Sequence, residues 1–202
     1  MATSFRPLVR LLLVAALPLF IADQVTKWWT VLRFSEPPVA PNGEAYFGTA
    51  DAPIVVIDGI LNFTRVHNQG VAFGFGNGTA WAPVVFLLIP LIATTLLLVF
   101  WRRGFFKTRL MKAAVVLLFT GIAGNLVDRL TQGFFLERVK DGSLWERFSA
   151  GYVVDFIDVT IPLINYRWPV FNVADSCISV AACLLIISSF REEAEKKKET
   201  TN

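Results

Sequence analysis

Four stretches of this 202-residue chain stay apolar for long enough to cross the hydrocarbon of a bilayer, which takes a helix of about 20 residues. They run from about Leu8 to Trp28, Trp81 to Trp101, Met111 to Leu130 and Pro169 to Phe190. The second carries no charge between its two tryptophans. Charged residues make up 17% of the chain and hydrophobic ones 54%, against roughly 25% charged in an ordinary soluble domain. Lipid offers the backbone no hydrogen-bond partners, so such runs fold as helices. The expectation is a mainly α membrane protein, with residues 1–202 forming one membrane-embedded domain around four transmembrane helices. Pro18, Pro83 and Pro90 fall inside these runs, where neighbouring helices can satisfy the carbonyls they free.

Lysine and arginine set the orientation. Arg6 and Arg10 flank the start of the first run, Arg102, Arg103, Lys107, Arg109 and Lys112 cluster at the junction of the second and third, and Arg191, Lys196, Lys197 and Lys198 follow the fourth. The positive-inside rule then places both termini in the cytoplasm. The loops at 30–80 and 131–168 face outward, and the tail at 191–202 is a solvated, frayed end. The start reads as a retained span rather than a cleaved leader, because Ile21-Ala22-Asp23-Gln24 is a poor small-residue cleavage site. In the first outer loop, 54–75 is rich in β-branched and aromatic residues punctuated by glycine, the pattern of a small sheet. In the second, 133–151 mixes Phe134, Phe135, Leu144, Trp145 and Phe148 with charges, as a short surface helix would.

Several chemistries lack their residues. The net charge of +3 is too small and scattered for nucleic acid. No CxxC, HExxH or GxSxG is present, His67 is the lone histidine, and Cys177 and Cys183 read as core thiols. What remains is a set of polar groups at one depth. Asp23 lies late in the first run, Asn125, Asp128 and Arg129 end the third, and Asn172 and Asp175 begin the fourth. With alternating directions, all reach the outer edge of the membrane. An ionisable group there is expensive unless it faces the bundle interior or a wet cavity. Just outside stands Val153-Val154-Asp155-Phe156, which can bring Asp155 over the same cavity as Asp175. Two carboxylates at close quarters share a proton, which suits them to hydrolyse a peptide without metal or nucleophile. A small ion- or proton-coupled transporter using Asp23, Asp128 and Asp175 as a relay is the alternative. The near absence of ionisable groups from the inner halves of the spans weighs against it.

In order, Asp23-Gln24-Val25-Thr26-Lys27, Asn68-Gln69-Gly70-Val71-Ala72-Phe73-Gly74, Gly124-Asn125-Leu126-Val127-Asp128-Arg129, Val153-Val154-Asp155-Phe156 and Phe171-Asn172-Val173-Ala174-Asp175 resemble the signature blocks of the bacterial prolipoprotein signal peptidases, or signal peptidases II. The resemblance covers most of residues 8–190. It implies a bundle of four transmembrane helices with a small extracytoplasmic sheet and a surface helix, in the bacterial cytoplasmic (inner) membrane. It implies an aspartic endopeptidase working without metal or cofactor on prolipoproteins that already carry diacylglycerol on a cysteine, cut just before that cysteine; the chain itself is expected to be a monomer. Its other contacts would be membrane lipids. The catalytic pair carries over onto Asp155 and Asp175. The supporting residues carry over onto Asp23, Asn68, Gly70, Asn125, Asp128, Arg129 and Asn172, with Asp128 and Arg129 expected to brace the helix ends as a pair. Two stretches depart from the family's pattern without removing a motif residue: Leu136–Ala150 and the long Ser35–Pro53.

Overall fold

The computed structural model describes residues 3–38, 48–69 and 81–201. Gly70, and with it 71–74 of the same block, lies outside the described residues, as does much of the 35–53 insertion.

Among the described residues, four helices are long and apolar enough to span a membrane. The first is continuous from Arg6 to Arg33, built as α1 (Arg6–Leu11), a π-helical turn (Leu12–Ala16) and α2 (Leu17–Arg33). The wide turn sits just before Pro18, whose ring has no N–H for the carbonyl four residues back. The second span is α3 (Ala82–Arg102) and the third α4 (Arg109–Thr131). The short helix α5 (Leu144–Ser149) follows, and α6 (Val173–Thr201) is the fourth span. The first run was expected to end near Trp28 and continues for five more residues. The fourth starts at Val173 rather than Pro169, because Phe171 is still bonded to Ile157 of the sheet. The tail expected to fray is helical through Thr201. It is rich in strong helix formers, and Glu193 pairs with Lys197 one turn on at 3.1 Å.

Helix α4 is the centre of the bundle, packed against α2, α3 and α6, with Ala114, Val115, Thr120, Gly121, Gly124 and Asp128 buried. Two glycines let its neighbours in. A Cβ on Gly121 would strike Ile178, and one on Gly124 would lie 2.5 Å from the Asp23 carboxylate and 3.0 Å from the Ala174 methyl. The apolar core gathers at the arginine-rich end of the bundle, around Leu8, Leu97, Trp101, Phe106, Met111 and Val115. Cys177 is buried and Cys183 exposed; neither is in a disulfide.

At the other end lies an antiparallel sheet in the order β1 (Ile54–Ile57), β2 (Leu61–Asn68), β3 (Val153–Ile161) and β4 (Tyr166–Arg167). The sheet expected at 54–75 supplies only half of it. Strand β3 returns to β2 after the chain has passed through α3 and α4, and it carries the Val-Val-Asp-Phe block into the sheet. The register pairs Asn68 with Val153, His67 with Val154 and Val66 with Asp155. Asp158 holds the β3–β4 hairpin by a two-pronged pair with Arg167, at 2.7 and 2.8 Å. The expected surface helix is α5, opened by a reciprocal Ser143–Glu146 cap. Its Leu144 and Trp145 are exposed.

Candidate active site

Two polar clusters sit side by side where the ends of α2 and α4 meet the start of α6 and the sheet. The first is closed. Lys27, on α2, is wholly buried, and its ammonium lies 2.9 Å from Asp23 and 3.0 Å from Asp128, both also buried. Each carboxylate has further donors. Asp23 accepts from the backbone N–H of Ala174 in the first turn of α6 at 2.8 Å, a placement the helix dipole favours. Asp128 accepts from the N–H of Val154 on β3 at 3.1 Å. The Gln24 amide donates to both, at 3.1 Å each. One ammonium and two carboxylates thus tie α2, α4, α6 and β3 together.

Sequence reasoning left Lys27 out of the candidate residues. The available signal was a lysine four residues after Asp23, on the same helical face, inside a span where a lone cation is costly. The expected Asp128–Arg129 brace is also corrected: Asp128 pairs with Lys27. Consecutive helical residues point apart, and Arg129 turns to the α3 side, its guanidinium 5.5 Å from the Phe86 ring centroid.

The second cluster contains Asp155 and Asp175, and its close partners are amides. Asn172 precedes α6, with its backbone and side chain both engaged. Its Oδ1 accepts from the Asp175 N–H at 2.9 Å, and its own N–H donates to Asp175 Oδ2 at 3.3 Å. That is a reciprocal capping box, so the local folding signal that starts α6 also fixes the Asp175 side chain. The Asn172 Nδ2 group donates to Asp155 Oδ1 at 2.7 Å. Asn68, from β2, donates to Asp155 Oδ2 at 3.0 Å. Asn125, from α4, donates to Asp175 Oδ1 at 2.7 Å. The Asn125 oxygen accepts from Lys27 at 3.0 Å and from Asn172 at 3.2 Å, which fixes which end of its amide faces Asp175. The closed cluster therefore orients the open one.

A cavity of about 390 Å³ opens on this second cluster, with Asn68, Asn125, Arg129 and Asp175 on its polar side and Phe86, Ile89, Pro90, Ile122 and Ile178 among its apolar walls. Asp175 lines it, half-buried. Asp155 is set behind the wall, 2% exposed and held by Asn68 and Asn172. Burial pushes the Asp155 carboxyl up to about 8, and the neighbouring charge of Asp175 adds to the push. The Asn68 hydrogen bond, Lys27 and the Asn172 hydrogen bond pull the other way by less. Of the residues singled out from sequence, Asn68, Asn125, Asn172, Asp155, Asp175 and Arg129 meet here, Asp23 and Asp128 stand in the adjoining brace, and Gly70 is not among the described residues. Among the described residues no group of three or more His, Cys, Asp or Glu side chains could hold a metal.

Comparisons with known proteins agree with this fold. The lipoprotein signal peptidase of Syntrophus aciditrophicus (strain SB) is 32% identical over 95% of this chain and 98% of its own length. That of Geobacter sulfurreducens is 35% identical over 71% of this chain and 77% of its own. A solved structure described as a bacterial membrane enzyme, determined by the in meso method at 2.3 Å resolution, superposes with a TM-score of 0.69 at 27% identity, covering 96% of this chain and 94% of its own. A second of the same description, at 1.9 Å, gives 0.64 at 28% identity over 93% and 95%. The model of the family described as signal peptidase (SPase) II matches residues 15–191. With four spans, the small sheet and that match over most of its length, the chain belongs to the signal peptidase II family of membrane aspartic peptidases.

Proposed function

We propose that Asp155 and Asp175 are the catalytic pair with which this multi-pass peptidase removes signal peptides from prolipoproteins. The observation that carries the reading is the contrast in partners. The closed cluster gives its carboxylates an ammonium at salt-bridge distance. Asp155 and Asp175 have amides as their close partners, and one of the two faces a cavity of ligand size.

A water held between the two carboxyls is the nucleophile. Asp155, whose carboxyl keeps its proton up to about pH 8, is the general acid, and Asp175 is the general base. Asp175 takes a proton from the water as its oxygen attacks the scissile carbonyl carbon, and Asp155 gives its proton to the carbonyl oxygen. When the tetrahedral intermediate collapses, the C–N bond breaks. The leaving amine takes the proton from Asp175, and the hydroxyl returns its proton to Asp155. Each carboxyl oxygen has two lone-pair directions, so the amides of Asn68, Asn125 and Asn172 can hold the pair while leaving room for water. Arg129 faces the scissile segment from the cavity wall.

The substrate carries diacylglycerol on a cysteine and is cut on the amino side of that cysteine. Its acyl chains and signal helix reach the cavity through the membrane, along the apolar walls from α3 and α4. The sheet end of the bundle faces outward from the bacterial inner membrane, both termini lie in the cytoplasm, and the chain works as a monomer. The basic residues at the opposite end support this orientation. The test is cleavage of a diacylated prolipoprotein in reconstituted membranes, followed by gel shift, with Asp155→Asn and Asp175→Asn. Both are expected to lose at least about 10²–10⁴-fold in rate. Near-normal cleavage by either variant would remove the assignment. The transporter reading predicts ion flux in the same vesicles, which this proposal does not.

A further inference from the structure

Arg65, on β2, is 5% exposed, and among the described residues no carboxylate lies within ion-pair distance of it. A buried guanidinium in that state needs another source of negative potential. It finds one at the end of α2: Nη1 donates to the carbonyls of Val31 and Phe34, at 3.2 and 2.9 Å. Those are the carbonyls a helix leaves unpaired at its C-terminus, where the partial charge is negative. The rest of the fork reaches both central strands. Nε donates to His67 Nε2 at 2.9 Å, and Nη2 donates to the Tyr152 hydroxyl at 3.2 Å. The Tyr152 hydroxyl in turn donates to the Gln132 side-chain oxygen, just beyond α4, at 3.4 Å. His67 stacks on the Tyr152 ring with centroids 3.6 Å apart.

These contacts flank Asp155 from two sides. His67 immediately precedes Asn68, which bonds the Asp155 carboxyl. Tyr152 opens the segment that runs through Val153 and Val154 to Asp155. The ladder between the strands is irregular at this place. Phe63 pairs with Ile157 and Val66 with Asp155, so Thr64 and Arg65 together stand opposite Phe156. An extra residue of this kind re-aims side chains and is favoured near active sites. It also threatens the register, since a slip of one residue would turn Asn68 to the other face.

We propose that Arg65 is a positioning residue: anchored on the C-terminal carbonyls of α2, it locks the bulged β2–β3 ladder at the register and height that aim Asn68 at Asp155. The inference rests on the reading of Asp155 as catalytic. The bond from Nε requires His67 to be neutral with its proton on Nδ1. Burial, with the charge of Arg65 beside it, holds that imidazole far below its usual range, at about 2. His67 therefore remains an acceptor for Arg65 through the neutral range in which the cleavage assay is run. A lysine could not replace it, because one ammonium cannot span acceptors on a helix end and two strands.

The experiment uses the full chain in nanodiscs and a synthetic diacylglyceryl-cysteine prolipoprotein peptide. It compares Arg65→Met, Arg65→Lys, Asn68→Ala and the double variant Arg65→Met/Asn68→Ala. Arg65→Met and Arg65→Lys are expected to lower kcat about tenfold or more, with KM within about twofold. The groups acting on Asp155 are Asp175 from α6, Lys27 from α2, Arg129 from α4, and Asn68 and Asn172. Because Asn68 pulls its pKa down, losing the aim of Asn68 should move the alkaline limb of kcat/KM to higher pH in both Arg65 variants, as it does in Asn68→Ala. The double variant should be little worse than Asn68→Ala alone. A folded Arg65→Met enzyme with the wild-type kcat and limb overturns the proposal, and so does a loss that adds in full to that of Asn68→Ala. If Arg65→Met does not fold, Tyr152→Phe decides: it keeps the stack and removes one arm, and is expected to lower kcat about threefold with the same direction of limb shift. No change in either quantity overturns the proposal. Asp155→Asn run alongside separates the two layers. An inactive Asp155→Asn with an unaffected Arg65→Met sinks the positioning role alone, whereas an active one sinks the catalytic pair.

Discussion

The closed and open clusters lie at the same end of the bundle, use the same residue types and share Asn125 as a wall. They differ in the groups that hold their carboxylates at close range. Asp23 and Asp128 meet a buried ammonium and three further donors, so their charge is neutralised where it stands and nothing is left to react. Asp155 and Asp175 meet amides, which orient a carboxyl but do not cancel its charge, and burial then holds one proton on the pair up to about pH 8. On the proposed reading, a buried acid here is structural where an ammonium neutralises it at salt-bridge distance and reactive where amides hold it beside the cavity.

The largest effect expected from breaking this contrast is on rate. Asp175→Asn keeps a side-chain oxygen for the Asn172 N–H, so it should leave α6 capped and the fold intact while cleavage falls about 10²–10⁴-fold. In the closed cluster the corresponding loss is stability. Lys27→Met strands two buried carboxylates and should cost about 3–5 kcal/mol, read as a drop in thermal midpoint. Adding Asp128→Asn should restore part of it. If Lys27→Met were as stable as the parent, the brace would not be one.

Gly124→Ala attacks the packing between the clusters. Its methyl would sit 2.5 Å from the Asp23 carboxylate, and a loss of about 1–3 kcal/mol is expected, with activity falling only as far as Asn125 shifts. The last test is a matter of pH. The folded value for Asp155 is about 8 and the unfolded one about 3.9. Between them the folded chain binds the extra proton, so stability falls as pH rises through that window, and the loss is complete above it. Asp155→Asn should therefore raise the thermal midpoint at pH 9 relative to the parent and lose that advantage near pH 4. Cleavage should decline on the alkaline side with an apparent pKa near 8.

The spans were legible because about 20 apolar residues in a row admit one outcome in lipid. The polar residues inside them were legible because lipid makes each one expensive. Half of the sheet was not. Val153–Ile161 holds two acids among β-branched residues, and its partner strand lies some 90 residues back, beyond two membrane crossings. Lys27 is legible only in part: Asp23 is one turn away on the same face, but Asp128, which makes the site a brace, is 101 residues away. The start of α6 was placed early because Pro169–Asn172 are apolar enough to continue the span, while Phe171 is in fact bonded to the strand at Ile157. Arg65 carried no signal as a clamp, since its acceptors are backbone carbonyls and neutral side chains.

The reciprocal cap at Asn172 and Asp175 bears on the order of assembly. Asp175 is placed by a residue three positions before it, so it takes its station as soon as the last helix forms. Asp155 depends on a bond to a residue 87 positions earlier and on a strand that cannot dock until two membrane crossings are complete. Half of the proposed pair is laid down by a local cap and half by a long-range strand pairing, and because α6 follows β3 in the chain the two carboxyls come together only when the fourth span forms.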